Sequence, residues 1–149
     1  MKKLPILSLP IYKLKLKKVE EKTHIFDEVR KKYLLLNPEE WVRQNFIHYL
    51  NKEKKYPLGL MGVEQMVKYN SLKTRADIVI YNLEGKPNVI VECKSPEVKI
   101  TQDTFNQIAK YNSQLKVKYL IVTNGMKHFC CQMDYVNNKI TFLEDLPDY

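Results

Sequence analysis

Asp77, Glu92 and Lys94 lie on two neighbouring runs rich in β-branched residues, Arg75-Ala-Asp-Ile-Val-Ile-Tyr81 and Asn88-Val-Ile-Val-Glu-Cys-Lys94, separated by a polar turn at Glu84-Gly85. The runs predict a β-hairpin. With the turn centred between Glu84 and Gly85, facing residues have numbers that sum to 169, so Ile80 pairs with Val89 and Asp77 with Glu92. Side chains alternate along a strand, so Glu92 and Lys94 project from one face, and this register adds Asp77 to it. Two acids and one base then stand together.

Adjacent carboxylates repel and disfavour each other's ionised form, and a hard cation relieves that repulsion. Mg²⁺ takes oxygen ligands, commonly one or two carboxylates with water and substrate phosphate completing the set, which Asp77, Glu92 and the Cys93 carbonyl can supply. The chemistry such a site supports is hydrolysis of a phosphodiester: the ion lowers the pKa of bound water, and Lys94 steadies that water or the charge growing on the phosphate. The competing reading is a salt-bridged hairpin end facing solvent. Against it, Val89-Ile-Val91 is an uninterrupted apolar run of the kind buried on both faces, and register alone sets the second acid opposite Glu92.

The elements that must hold these residues fit one compact domain of 149 residues. Residues 1–36 read as a basic arm with a strand or short hairpin, and 37–149 as the domain proper. A helix starts at Asn37-Pro38-Glu39-Glu40, with Asn37 as cap and Pro38 in the first turn, and runs to about Asn51 with Val42, Phe46, Tyr49 and Leu50 as its apolar stripe. Gly62 to Tyr69 reads as a strand that turns at Asn70-Ser71 into the strand of Asp77. Ser95-Pro96 ends the Glu92 strand, and Thr101 caps a helix with Phe105, Ile108, Ala109, Asn112 and Leu115 on its inner side. Strands follow at Val117–Thr123, Lys127–Met133 and Ile140–Leu143, with turns at Asn124-Gly125 and Asn137-Asn138. The predicted fold is α/β: an αβββαβ core with a mixed central sheet flanked by helices, an N-terminal extended arm and a C-terminal β extension.

The net charge of +8 and pI near 9.3 favour a polyanionic partner, although Lys13-Leu-Lys-Leu-Lys-Lys18 equally fits an edge strand with a solvated face. No apolar run is long enough to span a bilayer, so no membrane contact and a cytoplasmic setting are expected. Cys93, Cys130 and Cys131 have no metal-site spacing and read as reduced core thiols. His24, His48 and His128 are scattered without ligand spacing. The four glycines, at 59, 62, 85 and 125, leave no Gly-rich phosphate loop in this sequence.

An αβββαβ order with Asp on the second strand and Glu-x-Lys on the third resembles the PD-(D/E)XK nuclease superfamily. More narrowly, Pro38-Glu-Glu-Trp-Val-Arg-Gln44, the Asp77 run, Val91-Glu-Cys-Lys-Ser-Pro96 and Gln107-Ile-Ala-Lys-Tyr-Asn112 resemble the N-terminal nuclease domain of type I restriction enzyme R subunits. The resemblance implies DNA cleavage with Mg²⁺ or Mn²⁺, Asp77 and Glu92 as metal ligands, and Lys94 as the catalytic lysine. Ala76 stands where the superfamily's name has Pro, which leaves the ligand intact. The resemblance also implies a DNA-holding role for Gln107 and Tyr111, one helical turn apart. It offers Glu40 as an auxiliary metal ligand, although Glu40 equally fits a reciprocal capping contact with Asn37. Glu64, on the preceding strand, is a second candidate acid, and Arg43 and Gln44 are either phosphate contacts or the first helix's polar face. The expected partners are DNA, a second copy of the chain to cut both strands, and a separate motor or specificity subunit. The alternative function is a DNA- or RNA-binding module with a nuclease fold, catalytically silent or activated by a partner.

Overall fold

A computed structural model describes residues 4–69, 72–113 and 115–149. The side chains of residues 68, 69, 72–74 and 111–113 lie outside that description, as does the expected turn at Asn70-Ser71. Three short strands, β1 (Leu16–Val19), β2 (Lys22–Asp27) and β3 (Lys32–Leu35), form an antiparallel sheet of their own. The expected arm is therefore a three-stranded meander. It precedes α1 (Pro38–Lys52), β4 (Met61–Tyr69), β5 (Leu72–Tyr81), β6 (Pro87–Cys93), α2 (Gln102–Ser113), β7 (Tyr119–Thr123), β8 (His128–Asp134) and β9 (Lys139–Leu143).

β4 to β9 make one six-stranded sheet in sequence order. Neighbours are antiparallel except β6 and β7, which run parallel because α2 carries the chain back between them. The domain is thus α/β with a mixed six-stranded sheet and two helices. α1 lays Val42, Phe46, Ile47 and Leu50 on one face, against Ile78, Ile80, Val89, Val91 and Ile121. α2 lays Phe105 and Ala109 on the other, against Val79, Ile90, Leu120 and Val122. The central strands are buried on both faces, as their unbroken apolar runs require.

Local signals hold where backbone chemistry dictates them. The Asn37 side chain accepts the Glu40 N–H at 2.7 Å, capping α1, and Thr101 Oγ1 accepts the Thr104 N–H at 3.1 Å ahead of α2. Tyr49, expected in the apolar stripe, is half-buried instead and donates its hydroxyl to Asp145, while Ile47 takes the buried place. Gly125, at φ +84, turns β7 into β8, and its carbonyl accepts the Ser8 N–H at 2.9 Å, which pins the N-terminal segment across the domain.

Phe46 is 2% exposed and meets the rings of Tyr49 and His128, so Phe46→Ala is expected to cost about 3–5 kcal/mol. Asn37→Ala removes one cap bond and is expected to cost about 1 kcal/mol. Urea unfolding checks both, and equal losses would contradict a helix held mainly by its apolar face.

Candidate active site

The β5–β6 hairpin adopts the predicted register: Ile80 pairs with Val89 and Ile78 with Val91. The Asn82 side chain organises the turn by accepting the Glu84 and Lys86 N–H groups, and a shift at Ile80/Tyr81 absorbs the extra turn residue. Pairing runs no further than Ile78 and Val91, at the point where Asp77 would meet Glu92. From there β5 continues along β4 while β6 stays with β7, so the strands fork with the two acids at the crotch.

A second irregularity lies on the other side of Asp77. Pairing of β4 with β5 passes from Val63 and Ile78 to Gln65 and Ala76 without a Glu64–Asp77 pair, and Glu64 sits in left-handed backbone at φ +57. Ala76 and Ile78, two apart and so on one face of a regular strand, contribute to opposite core clusters. The strand turns over at Asp77. A row of acids, Glu64, Asp77 and Glu92, therefore crosses three strands where regular pairing is relaxed.

Asp77 is held at both oxygens. Its Oδ2 accepts the Cys93 backbone N–H at 2.8 Å, and its Oδ1 accepts from Arg43 Nη2 at 3.1 Å. Arg43 is the unexpected centre of the site. It is 5% exposed, and its guanidinium also reaches Glu40 at 2.9 Å, Glu64 at 3.0 Å and Glu39 at 3.2 Å. Burial works against its charge, but Glu40, Asp77 and their neighbours hold its pKa above the ordinary arginine value. A second link continues outward: Arg30 joins Glu40 at 3.3 Å and Asp27 at 2.7 Å, connecting the N-terminal sheet to the site. Burial opposes the charge of Asp27 too, yet bonds from Arg30 bring its pKa below the usual carboxylate value.

Glu92 has no such cation of its own. Burial first, and then the charge of Asp77 and a hydrogen bond with it, push Glu92 up to about 8, against a smaller opposite pull from Lys94. Burial and Asp77 also raise Glu39. Lys94 stands just beyond β6, with its backbone N–H on the Thr123 carbonyl at 2.8 Å. Cys93 turns its side chain into the α1 core, and burial raises its thiol well above the ordinary range.

The remaining candidates separate clearly. Glu40 does not close a capping box: its Oε1 takes Arg43 and Arg30 and its Oε2 takes Gln44 at 3.0 Å, so Arg43 stands between it and Asp77. Of the two readings of Arg43 and Gln44, phosphate contacts or the first helix's polar face, the second is corrected if that face is taken as solvated. Both are buried, Gln44 fully, because the helix turns them toward the acids rather than to solvent. Gln107 is exposed on α2, while the side chain of Tyr111 lies outside the described residues. His48 stacks on Tyr12, and His128 bonds Thr123 at 2.6 Å. The thiols of Cys93, Cys130 and Cys131 are free and buried.

Among the described residues no group of three or more His, Cys, Asp or Glu is arranged to hold a metal ion. The oxygen pair of Asp77 and Glu92 does fit a hard cation. Each carboxylate oxygen of Asp77 takes one N–H donor, which leaves lone pairs that the Glu92 hydrogen bond or a cation can use, and Glu92 keeps its proton for want of an ion-paired cation. Sequence reading named Arg43 but not its place among the acids, and it missed Arg30 and Arg75, the last of which reaches Glu64 at 3.4 Å. The available signal was Glu39 and Glu40, four and three residues before Arg43 on one helix face.

Fold and site together define an α/β domain with a lysine-flanked carboxylate pair at a strand fork. A family model described as Type I restriction enzyme R protein N terminus matches residues 38–147. The chain belongs to that family. Its fold is similar to a solved fragment assigned to an HsdR subunit of a type I restriction enzyme from Vibrio vulnificus YJ016, at 20% identity and a TM-score of 0.50. That likeness covers 76% of this chain and 24% of the other, so the chain spans about a quarter of its length. No curated protein matches.

Two outcomes are expected at this site. Arg43→Met strands buried acids and should cost about 3–5 kcal/mol in chemical unfolding, with Arg43→Lys failing to restore it because an ammonium cannot bridge four carboxylates in a fork. A Glu92 pKa raised from 4.5 to about 8 means that its protonated form stabilises the fold at low pH, and that this stabilisation is lost as pH rises through about 8. In metal-free buffer, wild type should therefore lose melting temperature relative to Glu92→Gln from about pH 5 to about pH 9. A difference that stays constant with pH would remove the assignment.

Proposed function

We propose that this chain is a metal-dependent DNA endonuclease domain of the PD-(D/E)XK type, with an αβββαβ core running from α1 to β7. The observation that carries this reading is the meeting of Asp77 and Glu92 at the β5–β6 fork beside Lys94. Membership of a restriction-enzyme R protein family supports it.

Asp77, Glu92 and the Cys93 carbonyl would hold Mg²⁺ or Mn²⁺, an oxygen set suited to a small hard cation. Such an ion, when bound, supplies water activation and neutralisation of phosphate charge. The chain's own residues do the rest. The Cys93 N–H and Arg43 fix the direction of the Asp77 carboxylate. Glu92 would give up its proton to solvent on serving as a ligand, and Lys94 would place an ammonium where charge develops on the phosphate. Counted formally, the six carboxyls Asp27, Glu39, Glu40, Glu64, Asp77 and Glu92 face four cations, Arg30, Arg43, Arg75 and Lys94. Fully ionised, the cluster lacks two positive charges, which is what a divalent ion brings. Glu64 then shares Arg43 and Arg75 rather than binding metal, and Glu40 is a strut for Arg43. Gln107 and Tyr111 of α2 would hold DNA near the fork.

The proposed setting is cytoplasmic, in defence against foreign DNA or in repair, with a second copy or a separate motor or specificity subunit completing the machine. Supercoiled plasmid incubated with Mg²⁺, Mn²⁺ or EDTA provides the test. Cutting should require metal, vanish in Glu92→Ala and fall about 10²–10³-fold in Lys94→Ala with the fold intact. Calorimetry of Mn²⁺ binding near neutral pH should show about one proton released, and none in Glu92→Gln.

One observation favours the alternative of a non-cutting nucleic-acid-binding module: Arg43 already supplies an internal cation to Asp77. On that reading the chain holds DNA equally in EDTA, and Mn²⁺ produces neither heat nor cleavage.

A further inference from the structure

The N-terminal sheet lies outside residues 38–147, the part matched to the R protein family, within the segment that carries most of the chain's net charge. Residues 1–36 contain ten Lys and Arg against four Asp and Glu, which is +6 of the net +8. The remaining 113 residues are close to neutral.

Strand register sorts this charge onto two faces. Leu16, Ile25 and Leu34 align on one side, where Ile25 and Asp27 are fully buried and Asp27 joins the ion-pair chain to α1. The opposite, outer side carries Lys15, Lys17, Lys22 and His24, with Phe26 and Tyr33 between them. Lys15, Lys17 and Lys22 are exposed. The ammonium of Lys17 rests 4.0 Å from the centre of the Tyr33 ring and that of Lys15 lies 5.1 Å from Phe26. These contacts hold two long side chains in place and reduce the entropy a ligand must remove. Among the described residues no acid of β1, β2 or β3 stands on this outer face; Glu20 and Glu21 sit in the β1–β2 turn and Glu28 in the β2–β3 turn. Lysines two apart on a strand are ~6.6 Å apart. They therefore match successive phosphates of one strand, whose path winds around the duplex and so spaces them more widely than the ~3.4 Å axial rise per nucleotide.

We infer that the outer face of β1–β3 is a docking surface for the phosphate backbone of double-stranded DNA, separate from the Asp77–Glu92 fork and independent of cleavage. The chemistry selects this occupant. The two aromatic rings lie under lysines and offer no bare platform on which unpaired bases would stack. Beyond lysine and His24, the exposed outer positions are the apolar Val19 and Leu35, which leaves the Tyr33 hydroxyl as the one neutral polar side-chain group on this face to address a ribose 2′-OH. The contact is electrostatic and indifferent to sequence.

The test is fluorescence anisotropy of a labelled DNA duplex, its single strand and the matching RNA duplex, all in EDTA so that cutting plays no part. The 149-residue chain is compared with Lys15→Gln/Lys17→Gln/Lys22→Gln and with a charge-matched control, Lys52→Gln/Lys86→Gln/Lys127→Gln, whose exposed lysines lie on three other elements. Melting curves first establish that both variants fold. The outer-face variant should bind duplex DNA about tenfold or more weakly, with a log K against log salt slope shallower by about 2–3, while the control stays near wild type. Equal losses in the two variants, or tighter binding of single strands or RNA, would overturn the proposal. So would wild-type binding to phosphatidylserine vesicles through these lysines with none to DNA. A chain that binds duplex here but never cuts leaves this inference standing and removes the nuclease reading.

Discussion

A buried guanidinium shared by four carboxylates is the constraint around which the domain is arranged. Arg43 cannot be taken out of water without acids to surround it, and those acids cannot approach one another without Arg43. They come from three elements: Glu39 and Glu40 from the first turn of α1, Glu64 from β4 and Asp77 from β5. Through Arg43 their convergence ties α1 to β4 and β5 at one level, in addition to its apolar stripe. Arg30 extends the same logic to the N-terminal sheet, whose inner face is anchored through Asp27.

The fork between β5 and β6 follows from what the strands must satisfy on either side. β6 is committed to β7 over Val89–Cys93, and β5 to β4 toward the far hairpin. Where they part, backbone N–H groups need other acceptors, and the carboxylate of Asp77 takes the one at Cys93. One side chain thus repairs the sheet and aims an acid at Glu92. The relaxed pairing at Glu64, with its left-handed backbone, turns β4 and β5 over at the same level and lets Asp77 reach Arg43 as well.

The sequence was readable where a local signal had one physical meaning. Alternation and the polar turn located Ile80 opposite Val89, and Asn37-Pro38 marked the start of α1. The β1–β2 hairpin was less readable because its two-residue turn is built from Glu20 and Glu21, both at positive φ, rather than from the Asn-Gly pair that announces such turns. The burial of Arg43 among acids escaped for a related reason. An arginine beside two glutamates on a helix reads as a solvated ladder, and only tertiary placement of Glu64 and Asp77 closes the cage and excludes water. The turnover at Asp77 had no glycine to mark it, since Glu64 adopts the strained backbone itself.

Charge in this protein is partitioned by burial. The internal acids outnumber their internal cations, so the pocket holds a proton on Glu92 that a cation would displace. Exposed positive charge gathers instead on the outer side of the N-terminal meander, where Lys15 and Lys17 lean on aromatic rings. Opposite signs at these lysines and at the fork have a simple consequence. A polyanion approaching the chain is attracted to the outer lysines and repelled by the unneutralised fork. On the proposed function a divalent ion at the fork would lower that second barrier, and binding of metal and approach of phosphate would be coupled through electrostatics.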